Sequence, residues 1–444
     1  MPPVNLNSPL QYDDVLPEEV DVVIIGAGVI GVCAARYLQQ AGVRVFLCEK
    51  GRVACEQSSR NWGWVRQQGR DAAELPIMMD SINAWEEIDR EIGADIGFER
   101  GGTLYLAGSE EELEKLESWL EIAELHQLDT KMLGPRQLDE LVSGNNGLWV
   151  GAMYTPSDAH AEPFTAVPAM ASQLHGKGVG IKESCAVRCL ELSAGHVYSV
   201  VTEHGEIRTS AVLLAGGAWS STFLRNLGVR FPQLMVRSTV ARTAPAKDFF
   251  SGNAADSAFA FRRRQDGGYT LAPGGFNDHY LSLDSLRYFR EFLPVLRENF
   301  RSIRLRLGDN LSSRLMSQQH WSGTQVTPFE RHRVNNPEAG EEALLKIKRG
   351  VVHNLSALED LTLVESWAGM IDVTPDLVPV MDEVPDIPGL YLGTGFSGHG
   401  FGFGPGAGET LAKLILGSPH KHDLTRFRFG RFYDGSPIEP GPGL

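Results

Sequence analysis

A glycine-rich turn near the start of the chain carries the residues with the clearest chemistry. The motif GAGVIG, residues 26–31, lies between the apolar stretch DVVII and a helical pattern. Gly26 permits a tight turn, Gly28 lets the backbone approach a pyrophosphate, and Gly31 lets helix and strand pack closely. The N–H groups and the positive dipole of the helix N-terminus favour the phosphates. Glu49 ends the next apolar run, where a carboxylate can accept hydrogen bonds from ribose hydroxyls, so the spacing predicts a dinucleotide site.

Two further glycine-rich turns lie far along the chain. One contains Gly216 and Gly217 after an apolar run, and the other, GTGFSGHGFGFGPGAGE, spans 393–409. A single nucleotide-binding half that holds NAD does not need turns spread over the whole chain. One large ligand that is touched by distant segments does need them, so the three turns together favour FAD.

The segment EQSSRNWGWVRQQGR, residues 56–70, packs two tryptophans, three arginines and a Ser-Ser pair into fifteen positions. Asp372 is either a partner for a substrate amine or a turn residue ahead of Thr374. For four aromatic residues, a pocket wall and a place in the core are both open: Trp62, Trp64, Tyr269 and Trp367.

The elements that position these residues begin with a βαβ unit, in which a strand, a helix and a second strand are predicted over 21–25, 29–41 and 44–49. The remaining predicted helices cover 74–93, 109–126, 163–177, part of 284–305 and 405–416. The remaining predicted strands cover 179–182, 185–192, 196–203, 211–215, a region that begins near 360, and 389–393.

Composition excludes several classes of protein. The 444 residues carry a formal net charge of −15, which argues against a general nucleic-acid binder because such a surface must neutralise phosphates. Five cysteines without a CxxC pair predict neither a disulfide framework nor a zinc site, so no metal is expected and a reducing cytoplasm fits best. We expect no signal peptide and no spanning helix, since no apolar run is long enough.

GAGVIG with Glu49, AGGAWS, and TPDLVPV followed by GTGFSGHGFG resemble the D-amino-acid oxidase superfamily of flavoproteins. That superfamily includes glycine oxidase, sarcosine oxidase and D-amino-acid dehydrogenases. VACEQSSR, IGADIGFERGGTLYL, CAVRCLE, TEHGEIRTSAVLLAGGAWS and TPFERHRV resemble, in order, segments of its membrane-bound L-amino acid deaminases. The resemblance extends to an extra module over about 275–335, which in those enzymes lies near the membrane, but not to their N-terminal anchor.

The resemblance implies an α/β fold: a Rossmann-like FAD-binding domain with a central parallel sheet, an antiparallel-sheet substrate domain and a small helical insertion. The FAD-binding domain is expected over 1–95, 150–230 and 345–444. The substrate domain is expected over 96–149 and 231–344.

The resemblance also assigns residues to the cofactor. The ADP half and the pyrophosphate fall to Gly26, Gly28, Val29, Ile30, Gly31, Glu49, Lys50, Gln57, Ser58 and Ser59, with the backbone of Val187 at adenine. The flavin ring falls to Arg60, Asn61, Gly63, Trp64, Gly369, Gly395, Phe396, Ser397, Gly398, His399 and Gly400, with Gly216, Gly217 and Trp219 closing over the cofactor. His399 is either a flavin contact or a structural histidine.

One arginine is assigned to the substrate. SSRNWGWVR matches a sarcosine oxidase segment whose last arginine binds the substrate carboxylate, which places Arg66 in that role; the alternative is an ion pair with Asp71 or Glu74. Elsewhere the chain departs from its relatives: Gly274, Ile371 and Gly402 stand where they carry anion-binding side chains, and Thr270 where sarcosine oxidase has its oxygen-activating lysine. Gly369 stands near its flavin-linking cysteine, so we expect non-covalent FAD.

The implied activity is oxidation of the C–N bond of an amino acid or secondary amine by hydride transfer to flavin N5. The imine then hydrolyses to a keto acid or aldehyde plus ammonia or amine, with no obligate acid or base. The alternatives are a flavin dehydrogenase of a hydroxy acid and an FAD subunit of a multi-subunit dehydrogenase. We expect oxygen or a respiratory quinone as electron acceptor, and a cytoplasmic protein that contacts the inner membrane peripherally through 275–335.

Overall fold

The computed structural model describes residues 3–275, 277–298, 303–307, 320–355, 358 and 360–441. Its helices, in chain order, are α1 Val29–Gln40, α2 Gln57–Arg60, α3 Leu75–Ile92, α4 Glu110–Glu117, α5 Leu120–Leu125, α6 Pro135–Leu141, α7 Pro163–Gly176, α8 Ser220–Asn226, α9 Leu283–Arg287, α10 Phe289–Glu298, α11 Pro328–Arg331, α12 Glu341–Asn354 and α13 Gly400–Ile415. Its strands are β1 Val22–Ile25, β2 Val45–Cys48, β3 Trp64–Val65, β4 Thr103–Ala107, β5 Lys131–Leu133, β6 Gly151–Thr155, β7 Ala159–His160, β8 Gly180–Lys182, β9 Val187–Ser193, β10 His196–Thr202, β11 Gly205–Arg208, β12 Ala211–Leu214, β13 Leu234–Thr243, β14 Asn253–Ala255, β15 Phe259–Arg263, β16 Tyr269–Pro273, β17 Asn277–Tyr280, β18 Ile303–Arg306, β19 Leu363–Val373, β20 Val380–Glu383 and β21 Leu390–Thr394.

A mostly parallel sheet forms the centre of the first unit, with strands in the order β20-β21-β12-β1-β2-β8. Strand β1 pairs in parallel with β12 on one side and with β2 on the other, whereas β20 runs antiparallel to β21. The central strands are apolar and buried because both faces of the sheet are covered. Helices α1, α3, α7 and α13 cover one face, and the small sheet β9–β11 with α8 covers the other.

A second, mainly antiparallel sheet forms the other unit. Its described strands follow the order β18-β17-β13-β16-β15-β14-β4-β6-β5, and β19 also pairs with β13. The long β13–β19 pair runs from Leu234↔Val373 to Thr243↔Leu363. It extends the antiparallel sheet as far as the parallel unit. Its core is rich in aromatic residues, among them Phe249, Phe261 and Tyr269. The predicted fold class, a Rossmann-like unit combined with an antiparallel sheet, is confirmed.

Several predicted element bounds are corrected by the structure. The region 109–126 forms two helices rather than one, although Ser109 caps the first of them through a hydrogen bond from the Glu112 amide. Within 284–305 the chain forms α9, α10 and β18, and residues 299–302 lie outside the described residues. The last helix begins at Gly400 rather than near 405, because its glycines pack closely on neighbouring backbone and the packing outweighs their low helix propensity.

The discontinuous domain bounds stay a prediction, but strand pairing places two segments differently. Gly151–Thr155 pairs with β4 and β5, and Leu363–Val373 pairs with β13, so both lie in the antiparallel sheet and not in the FAD-binding unit as expected. The β13–β19 pairing joins residues more than a hundred positions apart, a relationship that local sequence patterns do not encode. Among the described helices, none is long and apolar enough to cross a membrane.

Candidate active site

A long cavity lies where the two sheets meet. The carboxyl ends of β1, β2, β12 and β21 open into it through Ile25, Cys48, Leu214 and Gly393. In open α/β sheets this edge is where ligands bind. From the antiparallel unit, β13 contributes Ser238 and Val240, and β19 contributes further lining residues.

The glycine motif shapes one end of this cavity. Gly26 has a φ of +107°, and a Cβ there would lie 2.5 Å from the carbonyl oxygen of Ala215, so only glycine fits the turn. A Cβ on Gly28 would approach the Ser58 hydroxyl oxygen to 3.1 Å. That hydroxyl accepts a hydrogen bond from the Val29 amide at 2.9 Å, which fixes the 56–60 segment against the N-terminus of α1. The result is a bare backbone surface of the shape that a pyrophosphate needs.

Glu49 lies beside this turn and is almost fully buried. Its two carboxylate oxygens accept hydrogen bonds from the Ala27 amide at 2.9 Å and from the Gly51 amide at 2.7 Å. Burial is the main influence on the side chain and raises its pKa. Each oxygen keeps a second lone pair, so the carboxylate can also accept from the hydroxyls of a ribose.

A charged cluster that sequence patterns did not reveal lies next along the cavity. Lys50 donates to Glu56 at 2.7 Å and sits 4.2 Å from the centre of the Trp219 ring. The Trp219 indole N–H also donates to Glu56, at 3.0 Å. Glu56 is thus the common partner of two residues that were expected at the cofactor, and it orients both.

The described residues fit the ADP half of a flavin dinucleotide. A bare glycine turn, a helix N-terminus and a buried carboxylate follow one another along the same wall of the cavity, in the order of pyrophosphate and ribose. Cys48, Cys185 and Val187 line the same end and provide an apolar surface for a base.

The segment after the pyrophosphate region is held by its own polar groups. The Arg60 guanidinium donates to the carbonyl oxygens of Cys55 (3.3 Å) and Ala368 (3.1 Å), so this arginine joins the two units. The Asn61 side chain donates to the carbonyl oxygen of Ser58 at 2.9 Å and accepts from the Gly63 amide at 2.7 Å. Arg60 and Asn61 both line the cavity.

Asp372 is fully buried at the end of β19 and holds the last glycine loop in place. One of its oxygens accepts from the Gly395 amide at 2.8 Å and from the Gln233 side chain at 3.1 Å. Its backbone carbonyl accepts from the Ser397 amide at 3.0 Å. Burial raises the pKa of Asp372. Asp372 thus holds the loop in place and also lines the cavity, and its role towards a substrate amine stays a prediction.

The far end of the cavity is aromatic and basic. The Trp62 and Trp64 rings meet edge to face with centroids 5.3 Å apart, and both line the cavity. Arg66 lies beside them, with its guanidinium carbon 5.4 Å from the centre of the Tyr105 ring. It donates to the carbonyl oxygen of Gln68. Among the described residues Arg66 hydrogen-bonds to neither Asp71 nor Glu74, the two acids considered as alternatives.

His399 lies at the start of α13 and lines this same end. Its Nδ1 is 3.3 Å from a carboxylate oxygen of Glu74, and both side chains are buried. Burial lowers the pKa of His399 to about 4, aided by the positive charge of Arg70. The histidine is therefore bonded within the protein and also lines the cavity, and a contact with the flavin stays a prediction.

Most residues that the resemblance assigned to FAD do line the cavity. Five of them lie behind its wall: Gly31, Ser59, Gly63, Gly395 and Ser397. Their assignment to FAD stays a prediction, and two of the glycines have a packing role. A Cβ on Gly31 would lie 2.0 Å from the carbonyl oxygen of Gly26, and one on Gly63 would lie 2.4 Å from that of Ala161. Both glycines therefore permit the close approach that shapes the wall.

Two of the four aromatic candidates belong to the core and not to the cavity. Tyr269 stacks on Phe249 at 4.4 Å inside the antiparallel unit, and its hydroxyl accepts from the Phe249 amide at 3.2 Å. Trp367 packs edge to face on Phe164 at 5.5 Å and donates to the carbonyl oxygen of Arg60. For both residues a pocket wall and a place in the core were open, and these contacts place them in the core.

The structure adds residues to the site that sequence reasoning missed. Arg70 lines the basic end, and Asn277 lines the opposite wall. Arg70 lies within the 56–70 segment four positions after Arg66, so its position beside a candidate anion site was a usable signal. Asn277 carries no such signal, because only the pairing of β17 with β13 brings it here.

The parallel sheet, the glycine cradle and the two-unit cavity define a dinucleotide-binding flavin oxidoreductase. Residues 21–414 match the family model described as "DAO: FAD dependent oxidoreductase", so the chain belongs to this family, and its cofactor is FAD.

Individual relatives are similar over most of the chain. The structure of L-amino acid deaminase from Proteus myxofaciens in complex with anthranilate matches with a TM-score of 0.92 and 29% identity, covering 97% of this chain and 98% of that one. Glycine oxidase of Pseudomonas aeruginosa is 28% identical, over 89% of this chain and 94% of its own length. Mouse (Mus musculus) mitochondrial sarcosine dehydrogenase is 23% identical over 94% of this chain, which spans 42% of that longer protein.

Proposed function

We propose that this flavoprotein oxidises the C–N bond of an amine that also carries a carboxylate, either an amino acid or a secondary amine. The observation that supports this most directly is the buried Arg66 guanidinium at the aromatic end of the cavity. A guanidinium stays charged and presents a planar fork that matches a carboxylate. Sarcosine dehydrogenase, glycine oxidase and L-amino acid deaminase, which this chain resembles, all carry such substrates in their names.

In this proposal FAD, when bound, accepts a hydride from the carbon next to the substrate nitrogen. Arg66 holds the carboxylate, which fixes that carbon in one orientation. Trp62 and Trp64 cover the substrate and exclude water, so that the amine is desolvated in its neutral form. The imine product hydrolyses in water without further help from the protein, and no side chain is required as an obligate acid or base.

We further propose how the cofactor is held. Gly26, Gly28 and Val29 meet the pyrophosphate, Glu49 meets the ribose, and Val187 meets adenine through its backbone. Gln57, Ser58, Gly216, Gly217 and Trp219 enclose the middle of the molecule. Gly369 offers no side chain for a covalent link to the ring, so we expect FAD to be released when the protein is denatured. Oxygen and a respiratory quinone remain the two proposed electron acceptors.

Peripheral contact with a membrane is part of the proposal and rests on the described part of the 275–335 module. That part exposes a set of apolar side chains that a soluble surface does not need: Leu281, Leu283, Leu286, Phe289, Leu305 and Leu307. Co-sedimentation of the wild-type protein and of a Leu286→Glu, Phe289→Glu variant with anionic vesicles tests this. Equal recovery of both in the supernatant would refute the contact.

The central experiment is an anaerobic screen of flavin bleaching. The purified yellow protein is mixed with amino acids of both configurations, N-methyl amino acids, simple amines and hydroxy acids. Bleaching by carboxylate-bearing amines alone supports the proposal. Bleaching by hydroxy acids only would replace it with a hydroxy-acid dehydrogenase, and no bleaching by any compound without a partner protein would point to a subunit of a larger complex.

A further inference from the structure

Arg70 is a second arginine at the same end of the cavity as Arg66. It lines the cavity and is only 2% exposed. Its Nε donates to the carbonyl oxygen of Arg66 at 3.3 Å, while its Nη1 is buried without a hydrogen-bond partner among the described residues. A buried donor left without a partner costs free energy, and native proteins leave few of them.

The two acids near Arg70 have other contacts, although one oxygen of Glu74 has no hydrogen-bond partner among the described residues. Glu74 faces His399, and Asp158 accepts from the Gln67 amide at 2.7 Å and from the Gln68 amide at 3.3 Å. Neither carboxylate hydrogen-bonds to Arg70 in the structure. Burial lowers the pKa of Arg70 and the nearby charge of Arg66 adds to this, whereas Glu74 and Asp158 act in the opposite direction. The protein thus holds a desolvated cation to which no carboxylate of the described residues hydrogen-bonds, at the basic end of the cavity.

The two arginines are brought together by one turn of the chain. Gly69 adopts a φ of +69°, and the Arg70 amide donates to the carbonyl oxygen of Gln67 at 3.2 Å. The turn places Arg66 and Arg70 on the same wall. One planar guanidinium group can bind both oxygens of one carboxylate. Two guanidinium groups at the same end of the cavity therefore exceed what a monocarboxylic amine requires.

We propose that the substrate is a dicarboxylic amine, in which Arg66 binds the carboxylate next to the oxidised carbon and Arg70 binds a second carboxylate. This assignment rests on the proposed amine oxidation. It selects secondary amines with two carboxylate arms, or acidic amino acids, over their monocarboxylic relatives. The Arg70 guanidinium gains a carboxylate acceptor only when the second carboxylate is present, and this is the source of the selection.

Two pairs of compounds isolate the second carboxylate. Thiodiacetate and (methylthio)acetate replace the amine by a sulfur that is not oxidised in the assay, and they differ by one carboxylate. Binding is followed by the change in the flavin absorption spectrum of the holoprotein. N-(carboxymethyl)glycine and N-methylglycine form the matching pair of reactive amines, followed by anaerobic bleaching. We expect wild-type protein to bind the dicarboxylic member at least about tenfold more tightly in each pair.

The Arg70→Gln variant should lose this preference, because its affinity for thiodiacetate falls by roughly 30-fold or more while that for (methylthio)acetate changes little. Arg70→Lys keeps the charge but loses the fork, so it should retain part of the preference. Arg100→Gln, which removes an arginine outside the cavity, should behave as wild type. FAD content and the thermal midpoint of each variant show whether it has folded.

The possible failures are separable. If wild-type protein binds both thioethers equally, or if Arg70→Gln weakens both by the same factor, the second anchor does not exist. The second of these results would show two arginines on one carboxylate. If N-methylglycine and other monocarboxylic amines bleach the flavin well and dicarboxylic amines gain nothing, amine oxidation stands and only the dicarboxylic substrate fails. If no amine of either kind bleaches the flavin, the proposed function itself fails.

Discussion

The Nε of Arg70 donates to the backbone carbonyl oxygen of Arg66 at 3.3 Å, so the main chain of one arginine holds the side chain of the other. A change to the Arg66 side chain leaves this contact in place. A shift of the backbone at 64–66 would move both guanidinium groups. The two kinds of change are therefore separable by experiment, and they give the first and the last of the following predictions.

Replacing Arg66 by alanine should weaken the binding of carboxylate-bearing amines by about 2–5 kcal/mol, since the carboxylate would enter a buried site without its charged partner. Simple amines without a carboxylate should be unaffected. The dissociation constant taken from anaerobic bleaching rates at varied substrate concentration measures this. An unchanged constant for carboxylate substrates would remove Arg66 from the site, whatever happens to the rate.

Replacing Glu49 by alanine should cost the protein its FAD. The change leaves the buried amides of Ala27 and Gly51 without a hydrogen-bond acceptor, at a cost in stability of about 1–3 kcal/mol each. It also removes the proposed partner of the ribose. Dialysis followed by the ratio of flavin to protein absorbance measures retention.

Glu183 provides a matched control for that experiment. It too is buried, and it accepts from the Val53 amide at 2.8 Å and from the Gln11 amide at 2.8 Å, but it does not line the cavity. Glu183→Ala should lower stability to a similar degree and keep FAD. If both variants lose FAD equally, the effect of Glu49 is on the fold and not on the cofactor.

The cofactor end was predictable from sequence because its chemistry is local. Gly26, Gly28 and Glu49 lie in one strand–turn–helix–strand unit, whose spacing alone fixes which atoms face the cavity. The substrate end depends on strand pairing between distant segments. Tyr269 and Trp367 have the right residue type for a pocket wall, yet Tyr269 packs in the core of the antiparallel unit and Trp367 packs with Phe164. Residue type alone could not decide this.

The buried Glu74–His399 pair predicts acid sensitivity. The pKa of His399 is lowered to about 4 from an ordinary value near 6.5, so between these limits the folded state binds fewer protons than the unfolded chain. Stability is therefore present above pH 6.5 and is lost as pH falls towards 4. The loss should approach about 1.4 kcal/mol per pH unit from this group. Urea unfolding of the holoprotein at pH 7, 6 and 5 measures the slope.

The His399→Asn variant tests the assignment, because its amide N–H2 can still donate to Glu74 but does not titrate. Its unfolding free energy should fall less steeply between pH 7 and pH 5 than that of the wild type. His160, whose pKa burial lowers to about 3, contributes a slope of the same sign that the variant retains. Identical slopes in both proteins would show that His399 does not titrate on folding.

Gly402, in the first turn of α13, determines how closely this helix approaches the substrate segment. A Cβ there would lie 3.0 Å from the carbonyl oxygen of Trp64 and 3.0 Å from the Cα of Val65. The carbonyl of Gly402 also accepts from the Ser81 hydroxyl at 2.7 Å and from the Trp85 indole at 3.0 Å, so the helix cannot easily retreat. Gly402→Ala should instead displace strand β3 by a few tenths of an ångström.

That displacement should move Trp64 and Arg66 while leaving the glycine cradle at the other end of the cavity in place. We expect Gly402→Ala to keep FAD, to lose about 1–3 kcal/mol of stability through overpacking, and to bind carboxylate substrates more weakly. Gly176→Ala is the matched control, because it lies in helix α7 with no atom within 4 Å of its added Cβ. It should be neutral or slightly stabilising. A Gly402→Ala protein with wild-type substrate affinity would show that α13 does not set the position of Arg66.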